Sequence, residues 1–105
     1  MAHQQIGQTL RLISAVMQQQ GLWQNEPPSD EKLASTLPFC VDTLTFSEWL
    51  QWVMYPKLIV IVETKAKLPA NSNMASMAEQ AFKKEPSDTR ELLALIVQLD
   101  QDITT

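Results

Sequence analysis

An all-α fold follows from three features of this sequence: scarce glycine, plentiful helix-forming residues and the spacing of its apolar side chains. Two glycines in 105 residues supply too few tight turns for an all-β architecture. Leu, Gln, Ala, Glu and Met recur throughout, and each loses little on entering a helix. Apolar residues then fall at helical spacing in several separate stretches. Together these predict a single-domain bundle over residues 1–105, of about four main helices, with a central helix kinked at Pro56 and short connecting helices.

The first helix is predicted over about Ala2–Gln20. Ile6, Leu10, Ile13 and Met17 form a narrow stripe, widened to one side by Leu12 and Val16, while Gln4, Gln8, Arg11 and Gln18 lie opposite. Gly21 follows the last periodic residue, where a left-handed C-terminal cap belongs. Trp23 opens a connection through Pro27 and Pro28 and is expected to fold back, because a large ring in a loop usually anchors it. Ser29 caps a short helix over Asp30–Ser35, with Leu33 and Leu37 as its apolar tethers. An irregular stretch, Thr36–Thr43, contains Pro38 and Phe39.

Thr45-Phe-Ser-Glu48 matches a capping box, in which the two side chains satisfy two otherwise unpaired backbone donors. Leu44 precedes it as a hydrophobic staple toward Trp49. Phe46, Trp49, Leu50 and Val53 share one stripe; Trp52 and Tyr55 fall on another side, with Glu48 and Gln51. Pro56 removes a helical hydrogen bond and disfavours helical geometry at Tyr55, so a kink or break is expected there. The run Leu58–Val62 has no polar face. Alone it also reads as a buried strand, but its only strand partner, VDTLTF, already carries a helix start.

Lys65–Lys67 suit the C-terminal end of that helix, and LPANSN reads as a turn-rich connection. Asn73 is expected to cap a helix over Met74–Lys84, striped by Met74, Met77, Ala78 and Ala81 with Phe82 beside them. Pro86 and Ser87 end that helix and cap the last one, about Asp88–Asp102. Its stripe is Leu92, Leu95, Ile96, Leu99 and Ile103, broadened by Leu93 and Val97.

The formal net charge of −4 lacks the basic footprint of a nucleic-acid binder, so direct nucleic-acid binding is not expected. A single cysteine, Cys40, excludes an internal disulfide and suits a reducing compartment. The N-terminal residues lack the charged-then-apolar pattern of a signal peptide. The five-residue apolar run is far below the roughly 20 residues a membrane helix needs. A cytoplasmic, membrane-free protein is the expectation.

Catalytic constellations are sparse. His3 and Cys40 show no paired metal-ligand spacing, and Gly7 and Gly21 cannot assemble a phosphate-binding loop. Most acidic residues occupy expected helix starts, where capping explains them. No metal, cofactor or catalytic residue is therefore assigned, and the chain reads as a non-enzyme. Asp42 stands outside any helix, as a turn residue or a binding group.

Trp52 and Tyr55 are amphipathic aromatics of the kind enriched at interfaces, placed off the main apolar stripe. With Trp49, Gln51, Asp42 and Lys57 they make the candidate binding set, an aromatic patch with a polar border that fits a protein partner. The alternative is a small apolar ligand held between helices at the Pro56 kink.

The stretch PFCVDTLTFSEWLQWVMYPKL, with Leu68–Pro69 and Met77–Phe82 after it, resembles the YqcC-like family of small bacterial proteins. The likeness is good over about Trp23–Phe82 and looser in the outer helices. Lys57-Leu58 stands where that family usually has arginine-methionine, and Ser76 replaces a proline. The resemblance implies an all-α bundle of about four helices and no established catalytic residues. It also implies an accessory role in tRNA modification, since members are commonly encoded beside a tRNA pseudouridine synthase.

Overall fold

The computed structural model describes residues 2–68, 73–85 and 88–104. Its helices are α1 (Ala2–Gln19), α2 (Asp30–Leu33), α3 (Phe46–Trp49), α4 (Tyr55–Thr64), α5 (Met74–Phe82) and α6 (Arg90–Thr104). A 3-10 turn occupies Pro38–Cys40, and a π-helical turn, Leu50–Met54, joins α3 to α4. No strand occurs among the described residues, and the Leu58–Val62 run lies inside α4. No described helix is long and apolar enough to cross a membrane.

Helical periodicity translates directly into burial. α1 packs against α6 and α4, and α5 packs against α6 and α3. Ile6, Leu10, Ile13 and Met17 of α1 meet Leu50, Met54, Leu58, Met74, Ala78, Leu92, Ile96 and Leu99 in one core. Gly7 lets α1 approach α4 closely: a Cβ there would stand 3.3 Å from Val62 Cγ1. Two expected core residues lie outside it. Leu12 is 53% exposed and Leu37 48% exposed, so Leu12 does not widen the α1 stripe and Leu37 does not tether α2.

The C-terminal ends of α1 and α4 close in the same way. Beyond α1, Gly21 adopts φ 72°, Leu22 N–H donates to the Met17 carbonyl at 2.8 Å, and Gly21 N–H to that of Gln18 at 3.3 Å. That is the Schellman pattern, which satisfies carbonyls left over at a helix end. α4 repeats it with Lys65 at φ 54°, Ala66 N–H reaching the Ile61 carbonyl at 3.0 Å. The Ala66 carbonyl accepts from His3 Nε2 at 2.8 Å. His3 thereby ties the start of α1 to the end of α4.

Two boundary expectations are corrected. Tyr55 keeps helical geometry, at φ −58° and ψ −53°, so the helix runs on through Pro56. The irregularity sits one turn earlier. The Tyr55 N–H bonds the Leu50 carbonyl, five residues back, and the widened π turn makes room for a ring that would press on the carbonyl four residues before it. At α5, Asn73 has φ 49° and makes no side-chain cap. Asp100 of α6 caps instead, its Oδ1 accepting from Met74 N–H at 3.1 Å and its Oδ2 from Ala75 N–H at 2.7 Å. Most of the LPANSN connection (69–72) and the Pro86–Ser87 boundary lie outside the described residues.

Candidate functional site

Five of the six candidate residues divide among three neighbourhoods built around the start of the central helix, and Lys57 stands apart from them. Thr45 begins it with a complete capping box: Glu48 N–H donates to Thr45 Oγ1 at 3.2 Å and Thr45 N–H to Glu48 Oε1 at 2.9 Å. Burial opposes ionisation of Glu48 most strongly. Hydrogen bonds from the Thr45 backbone, the Gln24 amide and the Thr45 side chain, with the Lys32 charge, outweigh it and hold the carboxyl below its ordinary range.

On the first face, Gln51 is buried and its amide pairs with the backbone of Gln24. Gln51 Oε1 accepts from Gln24 N–H at 2.7 Å, and Gln51 Nε2 donates to the Gln24 carbonyl at 2.7 Å. The Gln24 side chain returns the contact, accepting from Trp52 Nε1 at 3.0 Å and donating to Glu48 Oε2 at 3.2 Å. Trp23 meets Tyr55 edge-on, with ring centroids 5.5 Å apart. Trp52 and Tyr55 are therefore half-buried under the extended connection after α1, covered neither by another helix nor by open solvent. Gln24 was not visible as a site residue in sequence; nothing in local periodicity marks it.

The second neighbourhood surrounds Trp49. Its ring stacks on Phe46 at 5.7 Å and takes Phe39 edge-on at 4.8 Å; Phe46 in turn meets Phe82 at 5.7 Å. Phe39 reaches this position because it and Cys40 adopt left-handed backbone, φ 57° and 50°. With Phe39 turned inward, Leu37 and Val41, two residues to either side of it, are 48% and 53% exposed. Leu37–Val41 is thus an apolar knuckle on an aromatic base. Cys40 is buried and unpaired with any other cysteine.

The third neighbourhood is the polar frame of that knuckle. Ser35 Oγ donates to Asp42 Oδ1, and Thr43 Oγ1 donates to the Lys32 carbonyl at 2.7 Å. These bonds lash the knuckle to α2, whose N-cap Ser29 accepts from Lys32 N–H at 3.3 Å. Lys57 is exposed on α4, away from the knuckle's bonded frame.

Two surface clefts, of about 340 and 310 Å³, flank Phe82. One is lined by Glu79, Lys83, Thr89 and Leu93, the other by Thr45, Ser47, Ala81 and Lys84 among others. Neither includes a residue of the Pro56 turn, where the alternative reading places an apolar ligand. Among the described residues no three His, Cys, Asp or Glu side chains gather as metal ligands would.

This fold and surface have relatives. A family described as "tRNA pseudouridine synthase C" (DUF446) matches residues 5–102. An uncharacterised protein of Haemophilus influenzae is 36% identical over 97 residues, covering 92% of this chain and 91% of the relative. The uncharacterised protein YqcC of Escherichia coli is 30% identical over 93% of this chain and 90% of its own. The solution structure of E. coli YqcC superposes with a TM-score of 0.84 at 29% identity, over 98% of this chain and 88% of that one. A tRNA pseudouridine synthase C of Pectobacterium carotovorum is 37% identical over 65 residues, which are 62% of this chain and 17% of that much longer one. The chain belongs to the YqcC-like family.

Proposed function

We propose that this chain is a non-catalytic binding module that serves a tRNA pseudouridine synthase. One observation carries the reading: a segment 37% identical to this chain resides inside a longer polypeptide named tRNA pseudouridine synthase C. Two units joined in one chain are held together at high effective concentration, an arrangement that favours units acting on the same substrate or on one another. The family's description points the same way.

The chemistry of the chain supports a binding role over a catalytic one. Its polar side chains around the central helix are spent on capping and on fixing the Trp23–Gln24 segment, and two of its exposed large apolar side chains, Leu37 and Val41, share one turn. Co-purification of the full chain with the pseudouridine synthase of the same organism, with and without tRNA, tests the reading. A stable complex supports it. Failure to associate under either condition, at micromolar concentrations of both proteins, removes it. RNA binding by the isolated chain would replace it with a direct role on the substrate.

A further inference from the structure

We infer that the Leu37–Val41 knuckle is the surface that docks, and that it seats on a basic patch of the pseudouridine synthase; this rests on the function proposed above. Four exposed large apolar side chains stand out among the described residues: Leu12, Leu37, Val41 and Val60. Leu12 and Val60 project from different helices, and singly exposed apolar residues are ordinary. Leu37 and Val41 project from one turn.

That turn is held in shape before any partner arrives. Cys40 N–H bonds the Leu37 carbonyl at 3.0 Å, Val41 N–H that of Pro38 at 3.2 Å, and Leu44 N–H that of Cys40 at 2.8 Å. Two successive non-glycine residues in left-handed backbone are costly, and such strain persists only where surrounding structure enforces it. Here the enforcement comes from the Phe39 ring packed against the stacked Phe46 and Trp49, and its result is a preformed apolar protrusion. A preformed surface loses little conformational freedom on binding.

Charge identifies the occupant. Residues 26–48 contain five acids, Glu26, Asp30, Glu31, Asp42 and Glu48, against one base, Lys32. The hydrogen bonds from Ser35 to Asp42 and from Thr43 to the Lys32 carbonyl hold α2, with Asp30 and Glu31, beside the knuckle. An apolar centre with an acidic border complements a basic surface. An enzyme that holds tRNA is basic over part of its surface, because phosphate neutralisation requires lysine and arginine.

The test measures the affinity of the full chain for the synthase by calorimetry, at low salt and at about 0.3 M salt. The wild-type complex is expected to weaken with salt. Leu37→Ser/Val41→Ser should raise Kd by about tenfold or more, and Glu31→Lys by roughly threefold with a flatter salt dependence. Val60→Ser, equally exposed on α4, should stay within about twofold. Circular dichroism melts establish that each variant is folded; should the double variant unfold, Glu31→Lys decides alone. Wild-type affinity in the double variant, unchanged affinity and salt dependence in Glu31→Lys, or an equal loss in Val60→Ser overturns the docking surface while leaving the functional reading intact. No binding by the wild-type chain overturns both.

Discussion

The Gln51 side-chain amide bonds both backbone groups of Gln24, at 2.7 Å in each direction. A primary amide can donate and accept in this parallel fashion without carrying charge, in the manner of a backbone peptide. Gln51 thereby treats an irregular connection as though it were a neighbouring strand, and the Trp23 and Gln24 side chains follow it onto Tyr55 and Trp52. The aromatic face of the central helix is organised by this one contact.

Gln51→Leu keeps the bulk and removes both bonds. It should lower unfolding free energy by about 1–3 kcal/mol, the cost of leaving partly buried backbone groups unpaired. Because Trp52 Nε1 and the Trp23 ring depend on the same segment, native tryptophan fluorescence should shift before the urea transition begins. A variant with wild-type stability and an unchanged spectrum would show that the connection is held by its rings alone.

Asp100 is the second long-range device. Its two carboxylate oxygens accept from the first two N–H groups of α5, so Asp100→Ala should cost about 1–2 kcal/mol, as N-cap losses do. Asn73 makes no side-chain cap and sits at φ 49°, a backbone glycine adopts freely. Asn73→Gly should therefore leave stability within about 0.5 kcal/mol of wild type. Denaturant unfolding of the two variants separates them, and the reverse ranking would return the cap to Asn73.

The contrast between these residues explains what could be read from the chain. Capping by Ser29 and Thr45, the Gly21 terminus and the stripes of α1 and α6 are local, written within four or five residues, and appear in the structure where expected, apart from the exposed Leu12. The stripe of α5 narrows to Met74, Ala78 and Phe82 as its fully buried members, because α6 and α3 meet only that edge. Gln51–Gln24, Asp100–Met74 and His3–Ala66 join residues 27, 26 and 63 positions apart, and no periodicity encodes such pairs. The candidate set was half legible for the same reason. Trp49, Trp52 and Tyr55 announce themselves as aromatics on a helix, whereas the exposure of Leu37 and Val41 depends on the left-handed turn at Phe39. Apolar residues beside a proline read as tethers until the backbone shows which of them faces inward.

Glu48 links the capping box to pH. Its carboxyl is held below the usual glutamate value of 4.5 in the folded chain. A group whose pKa is depressed on folding contributes stability above its unfolded pKa, and the contribution fades as pH falls through the folded value. Wild-type stability should hold near neutrality and decline as the pH drops below about 4.5. Glu48→Gln should be less stable than wild type at pH 7, and the gap should close in acid. A gap that stays constant from pH 7 to about pH 3 would assign the effect to packing of the side chain.

The two Schellman ends offer a matched pair of substitutions with opposite sign. Gly21 at φ 72° has open space around the position a Cβ would take, so Gly21→Ala meets no clash and pays only for left-handed backbone. That cost is about 1 kcal/mol. Lys65 already bears the same cost at φ 54°, with its exposed side chain at the end of α4. Lys65→Gly should therefore gain about 0.5–1 kcal/mol, less whatever the greater freedom of glycine returns to the unfolded chain. Thermal melts of both variants and their double should show a loss, a gain and near-cancellation, since separate sites add. A loss in Lys65→Gly would mean that the lysine side chain supports the helix end by more than its backbone strain costs.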